Sequence, residues 1–231
     1  MNDETTAIQI NNMSFFSNEA DRYIFSDVNT SIKKGETIII SGSSGCGKTL
    51  LLKIICGLVK PTSGDIVIDG RNLSKLSDKE ILKINEQMGF VFQDGALISN
   101  LNVYDNIALK LRYHTDMTES EINDRIKPYL IQTGLLSYID NFPAELSISQ
   151  KKMAGMIRAL IGNPRYLYLD EITNNINGQH FDFIIETIKN LTNEKATIVF
   201  ATNDKKTISE ISDGVVIIDG GKIISGREVE R

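Results

Sequence analysis

Six short runs along the chain are almost wholly apolar, and their lengths suit strands: Ile38–Ile40, Ile66–Ile68, Gly89–Phe92, Tyr166–Leu169, Thr197–Phe200 and Val215–Ile218. Several are rich in β-branched or aromatic residues. Nearly continuous apolar runs are expected where a strand is buried on both faces. Between them lie helix-like stretches: Lys48–Gly57, Ser77–Gln87, Thr118–Thr133, Ser147–Ile161 and Gly178–Asn193. The second and third open with capping boxes, Ser77 with Glu80 and Thr118 with Glu121. Strands alternating with helices predict an α/β fold on a largely parallel sheet. The closing stretch, DGGKIISG, reads as a turn and short hairpin.

The middle of the chain departs from that alternation. From about Asn102 to Gly162 there are helices and no convincing strand. That is too long for a loop in a compact domain. The expectation is one domain spanning 1–231, with an α/β core in 1–101 and 163–231 and a helical subdomain inserted at 102–162.

Composition narrows the function classes. The 231 residues are 41% hydrophobic and 24% charged, as in a globular protein with a substantial core. A net charge of −5 gives no support for a nucleic-acid partner, which needs a basic face. Two cysteines without ligand spacing, Cys46 and Cys56, suit a reducing compartment. The acidic N-terminal MNDETTAIQI lacks the features of a secretory signal, and runs such as TIII are too short to span a bilayer. The chain is expected to work at a membrane only by docking on another protein.

Chemistry enters with SGSSGCGKTL, residues 41–50, which fits G-x-x-x-x-G-K-[ST] at Gly42, Gly47, Lys48 and Thr49. A β-branched strand runs into it and an apolar helical segment follows. The expected nucleotide contacts are Gly42, Ser43, Ser44, Gly45, Cys46, Gly47, Lys48, Thr49 and Leu50. Glycines let successive backbone N–H groups converge on phosphate oxygens, and the helix N-terminus adds partial positive charge. Lys48 would reach the β/γ phosphates and Thr49 would ligate Mg²⁺. Further on, RYLYLDEITN ends an apolar strand in two carboxylates. Asp170 suits water-mediated Mg²⁺ binding, and Glu171 suits polarising an attacking water. An ordinary solvated strand end is the plainer alternative.

These residues, in this order, resemble the ATP-binding subunits of ABC transporters over nearly the whole chain. The segment SIKKGETIIISGSSGCGKTLLLKIICGLVKPTSGDIVIDG carries most of the likeness, and FVFQDGAL supplies Gln93. In the family that glutamine contacts Mg²⁺ and water and couples to the membrane subunit. The phrase FQDGALISNLNVYDNIALKLRYHT is similar to the ATPase of Mla/Mce-type lipid transport systems. The resemblance implies a P-loop core with a parallel sheet, N-terminal antiparallel strands and an inserted helical subdomain. It implies ATP and Mg²⁺ as cofactors, and a head-to-tail dimer with a second ATP-binding subunit, another copy or a different chain. It also implies a membrane permease as partner and a place on the cytoplasmic face of the membrane. An aromatic near the first strand should stack on adenine: Phe15 or Phe16, with Tyr23 third, although either phenylalanine could simply pack.

The sequence departs from the family at three places. The family signature Leu-Ser-Gly-Gly-Gln reads here Leu146-Ser147-Ile148-Ser149-Gln150. Ser147, Ser149 and Gln150 remain candidate contacts to a partner-bound nucleotide, but Ile148 puts a branched side chain where glycine allows close approach. Ser147 with Gln150 is also a capping box, sufficient to start the helix without any nucleotide role. After Glu171, Ile172 and Asn177 replace the family's proline and interface aspartate. Asn203 stands where the family has its switch histidine, and asparagine cannot move a proton at neutral pH. His180, near the expected dimer face, reads as an ordinary surface histidine. The expectation is an ATPase with Glu171, Gln93 and Asn203 in the catalytic set and Thr49, Gln93 and Asp170 on the metal, slowed by its altered trans half. The rival is a weakened nucleotide-binding module, either a regulatory sensor or one half of an asymmetric pair.

Overall fold

The computed structural model describes residues 5–176 and 178–226. Two sheets form its frame. The first is antiparallel, in the order β2 (Arg22–Lys33), β1 (Thr6–Ser17), β4 (Ser63–Ile68), β5 (Arg71–Asn72). The second has six strands in the order β10 (Lys222–Gly226), β9 (Gly214–Asp219), β3 (Thr37–Gly42), β8 (Thr197–Ala201), β7 (Tyr166–Asp170), β6 (Met88–Val91). All its pairings are parallel except the β9–β10 hairpin at one edge.

The expected apolar runs lie in strands, save Phe92, one residue beyond the end of β6, but not all are buried on both faces. Each residue of β7 and β8 is buried. Along β7, Leu167 and Leu169 face one core while Tyr166 and Tyr168 face the other. β8 divides the same way, Ile198 and Phe200 against Val199 and Ala201. Alternating Cβ directions make a strand apolar throughout when layers cover both faces. β4 differs: it lies in the antiparallel sheet, where Ile66 and Ile68 are buried and the residues between and before them are not. β9 also alternates, because beyond it lies only the edge strand β10.

Two apolar cores result. One packs the sheet against α3 (Val103–His114), α4 (Glu119–Gln132), α5 (Ile148–Leu160) and α6 (Gln179–Asn193). The other joins its opposite face to α1 (Lys48–Ile55) and to the antiparallel sheet. Among the described residues, helices α3, α4 and α5 with two 3₁₀ turns fill the chain from Asn102 to Gly162, with no strand. α2 (Asp78–Asn85) and α4 carry the expected capping boxes. The short α7 (Lys205–Ile211) follows β8.

This topology gathers the chemistry. Five parallel strands end on the same side, and open α/β sheets bind ligands outside those carboxyl ends. Ile40, Ala201 and Asp170 occupy one row across β3, β8 and β7.

Candidate functional site

The phosphate-type loop leaves β3 at Gly42 and enters α1 after Gly47. Gly47 has φ 105°, and a Cβ there would lie 2.9 Å from the Phe25 ring. Gly45 has φ 76° with open space around it, so its requirement is backbone conformation alone. Ser43, Ser44 and Gly45 are exposed. Cys46 and Leu50 are half-buried and pack against the core beneath the loop.

Four candidate residues meet here directly. Lys48, only 5% exposed, donates to the carbonyls of Gly42 (3.1 Å) and Ser43 (3.2 Å). Its Nζ also lies 3.5 Å from a Glu171 carboxylate oxygen. The Thr49 hydroxyl donates to Asp170 at 3.0 Å. Asp170 is buried, and loss of hydration raises its carboxyl above the ordinary range. The Thr49 bond opposes that rise and the charge of Glu171 adds to it.

Glu171 turns the chain at φ 47°, a conformation uncommon for a non-glycine residue. Three contacts hold it there. Its N–H donates to Ala201 O at 2.8 Å. Its carboxylate accepts from Asn174 Nδ2 at 2.9 Å. Its carbonyl accepts from the buried Lys152 ammonium, 3.3 Å away on α5. Lys152 also donates to Asn174 O at 2.8 Å, and burial lowers its affinity for a proton.

Asn203 joins this group from the end of β8. Its Oδ1 accepts from Ser41 Oγ (3.0 Å) and from Gly42 N (3.1 Å). The backbone N–H can only donate, so the amide oxygen faces the loop and Nδ2 points away from it as a donor.

Other candidates lie apart from this cluster. Gln93 is exposed one strand further along, just beyond β6. Ser147 caps α5, accepting from Gln150 N at 3.3 Å, while Gln150 Oε1 accepts from Ser147 N at 2.8 Å. Ile148 is 68% exposed. Ser149 is bonded to His180, Oγ to Nδ1 at 2.7 Å. His180 therefore differs from the surface residue expected: it is half-buried and bridges Ser149 to Thr133 O. Phe15 packs on the core below the loop, whereas Phe16 meets Tyr23 edge-on at 5.2 Å. Asn177 lies outside the described residues.

Sequence reasoning missed Lys152, Arg158 and His180. Arg158 on α5 donates to the carbonyls of Ala96 (2.9 Å) and Gly95 (3.0 Å), anchoring the segment after Gln93. A lysine and an arginine on the apolar face of α5 were the available signal.

Comparison with known proteins fits this geometry. The family described as ABC transporter matches residues 25–174. The chain belongs to the ABC transporter family. It is 37% identical over 200 residues to the methionine import ATP-binding protein MetN of Carboxydothermus hydrogenoformans, covering 86% of this chain and 59% of that protein. It is 32% identical over 219 residues to the intermembrane phospholipid transport system ATP-binding protein MlaF of Haemophilus influenzae, covering 94% of this chain and 82% of that protein. The chain thus spans little more than half the length of the MetN relative. The fold superposes on the ATP-binding cassette MJ0796, solved as a dimer in a post-hydrolysis state bound to ADP and Pi. There the TM-score is 0.88 and the identity 28%, over 95% of this chain and 97% of that one.

Proposed function

We propose that this ABC family chain is an ATP-hydrolysing subunit that drives a separate membrane permease, with a lipid as cargo. The observation that carries the ATPase reading is the convergence of Lys48, Thr49, Asp170, Glu171 and Asn203 at the carboxyl ends of three adjacent strands. In this reading, loop N–H groups and Lys48 hold the phosphates, the Lys48 ammonium exchanging its loop carbonyls for phosphate oxygens. Glu171 orients and polarises the attacking water, and its hold by Asn174 and Lys152 fixes the carboxylate in place. Asn203 braces the start of the loop through Oδ1 and moves no proton.

The donor set fits Mg²⁺. A buried carboxylate with one hydroxyl partner, beside a phosphate loop, suits an ion that takes one or two protein oxygens and completes its shell with phosphate and water. Thr49, Asp170 and Gln93 would hold it, and it would supply charge neutralisation at the phosphates.

Residues 102–162 are read as the helical unit that meets the permease beside Gln93. An open groove of about 340 Å³ lies between α2, β6 and α3, with Leu82 and Tyr113 exposed at its rim. Among the described residues no helix is long and apolar enough to cross a membrane. Lipid cargo is supported by the resemblance in residues 92–115 and by the extent of the MlaF match. Methionine import has the support of the MetN match, which is of similar strength. Of the two candidate aromatics, Phe16 with Tyr23 offers the accessible face for adenine, since Phe15 is engaged in packing.

One observation favours a second reading, a weakened module that needs a different chain: Ile148 projects at the signature and the Ser149 hydroxyl is engaged by His180. Mg²⁺-dependent ATPase activity, beside a Glu171→Gln control, decides between them. Turnover at least ~10²-fold above the control is expected for a working motor. Turnover equal to the control with ATP still bound would overturn it.

A further inference from the structure

Ser149 and His180 meet Oγ to Nδ1 at 2.7 Å, and the other ring nitrogen, Nε2, lies 2.9 Å from Thr133 O at the end of α4. A carbonyl oxygen only accepts, so Nε2 carries a hydrogen. In the neutral ring Nδ1 is then an acceptor, and the Ser149 hydroxyl donates to it. The single hydroxyl hydrogen is spent on the ring, and Ser149 turns only lone pairs outward. A proton on Nδ1 reverses the bond. The ring now donates, Oγ accepts, and the hydroxyl hydrogen is released.

We infer that His180 is a positioning residue that sets the direction of the Ser149 hydroxyl, its imidazolium form making Ser149 a donor to the γ-phosphate of ATP held by a partner subunit. This rests on the reading of Ser149 as a trans contact. Phosphate facing lone pairs is repelled, whereas phosphate facing O–H is bound. Proton and partner phosphate therefore bind together, and the coupling is reciprocal. The pair thus replaces a backbone approach that glycine would allow with a side-chain contact that depends on ring charge.

The ring lies on α6 and bonds to Ser149 of α5 and to Thr133 at the end of α4. From α5 come Lys151 and Lys152, and the Lys152 ammonium is held by the carbonyls of Glu171 and Asn174. The last turn of α4 brings no basic residue, and α6 itself brings Asp182 in its first turn. The Glu171 carboxylate, on the turn that Lys152 holds, is paired with Lys48. Among the described residues no ion pair includes His180.

The test is ATP-driven self-association of the full chain in a Glu171→Gln background, measured by sedimentation from about pH 8 to about pH 6. The dimer is expected to tighten as pH falls, by at most about tenfold per pH unit for each linked proton. His180→Gln keeps a donor and an acceptor but never charges, and Ser149→Ala removes the hydroxyl. Each should abolish the slope, and both together should lose no more than either alone. A slope that persists in either variant, losses that add, or a lowered Tm with the slope intact would overturn the inference. A dimer that forms without any slope overturns it while leaving the trans reading standing. No ATP-driven dimer in any of the chains overturns both.

Discussion

Thr49 and Asp170, 121 positions apart, meet in one hydrogen bond of 3.0 Å in which the threonine hydroxyl donates to the carboxylate. The bond ties the start of α1 to the end of β7. It also marks a conflict between site and stability, because Asp170 is only 2% exposed. A carboxylate there must stay charged to hold a cation, yet burial favours its neutral form.

Asp170→Asn separates the two demands. The folded-state carboxyl is raised by burial, so its contribution to stability is full at low pH and is lost as pH rises through the folded value. At neutral pH the ionised side chain is a net cost. Asparagine keeps the shape and still accepts from Thr49 without a charge. The Tm should therefore rise at neutral pH, by about 2–4 °C for each kcal/mol recovered, and the gain should shrink as pH falls through the carboxylate range. Mg²⁺-dependent turnover should fall by ~10²–10³ in the same variant. Differential scanning calorimetry beside an ATPase assay checks both, and a lower Tm at neutral pH would show that the charge itself holds the fold.

Ile148→Gly restores the family's residue at the first position of α5. Ile148 is 68% exposed, so the loss of stability should stay under about 1 kcal/mol. Removing the branched side chain from the trans face should raise kcat several-fold at saturating ATP. An unchanged kcat would show that isoleucine does not obstruct the partner nucleotide.

At Gly155 backbone meets backbone. A Cβ there would lie 2.7 Å from Gly95 O and 3.0 Å from Gly95 Cα, and neither atom can swing aside. Gly155→Ala should cost about 1–3 kcal/mol by overpacking and should displace the segment after Gln93. Stimulation of ATP hydrolysis by a reconstituted permease should fall more than basal hydrolysis does. Equal losses in both would place the effect in the nucleotide site instead.

The parts of the site legible in the sequence are those written in consecutive residues. The loop from Gly42 to Thr49 declares itself because its glycines, lysine and threonine serve one backbone turn. The capping box of Ser147 and Gln150 spans four positions and forms as read. No apolar run announces β1 and β2, which only the resemblance implies, because just four of 12 positions in β1 and three of 12 in β2 are buried and their pairing is interrupted by register shifts, one at Asn12 with φ 48°. α7 is seven residues long with only Thr207 and Ile211 buried, too little to print an apolar stripe. His180 and Lys152 escaped for another reason. Their meaning lies in partners on other elements, Ser149 and Thr133 for the one, Glu171 and Asn174 for the other. No local spacing encodes such contacts.

Lys152 yields the last prediction. Its ammonium is buried and donates to two backbone carbonyls, at Asn174 and at Glu171, so it secures the turn that carries the candidate catalytic carboxylate. Replacing it with methionine keeps the length of the side chain and removes a desolvated charge, which is often neutral or stabilising. Against that, two carbonyls lose a donor, at about 1–3 kcal/mol for a group left unsatisfied. The two effects oppose each other, so Lys152→Met should leave Tm within a few degrees of the parent. Catalysis has no such compensation. Glu171 sits at φ 47°, and loosening its carbonyl frees the carboxylate from the orientation that Lys48 and Asn174 help define. Because Lys152 bonds only to backbone behind that carboxylate, kcat should fall while KM for ATP holds steady. Steady-state kinetics on the purified variant reads the split. A rise in KM matching the fall in kcat would mean that Lys152 supports nucleotide binding rather than the placement of Glu171.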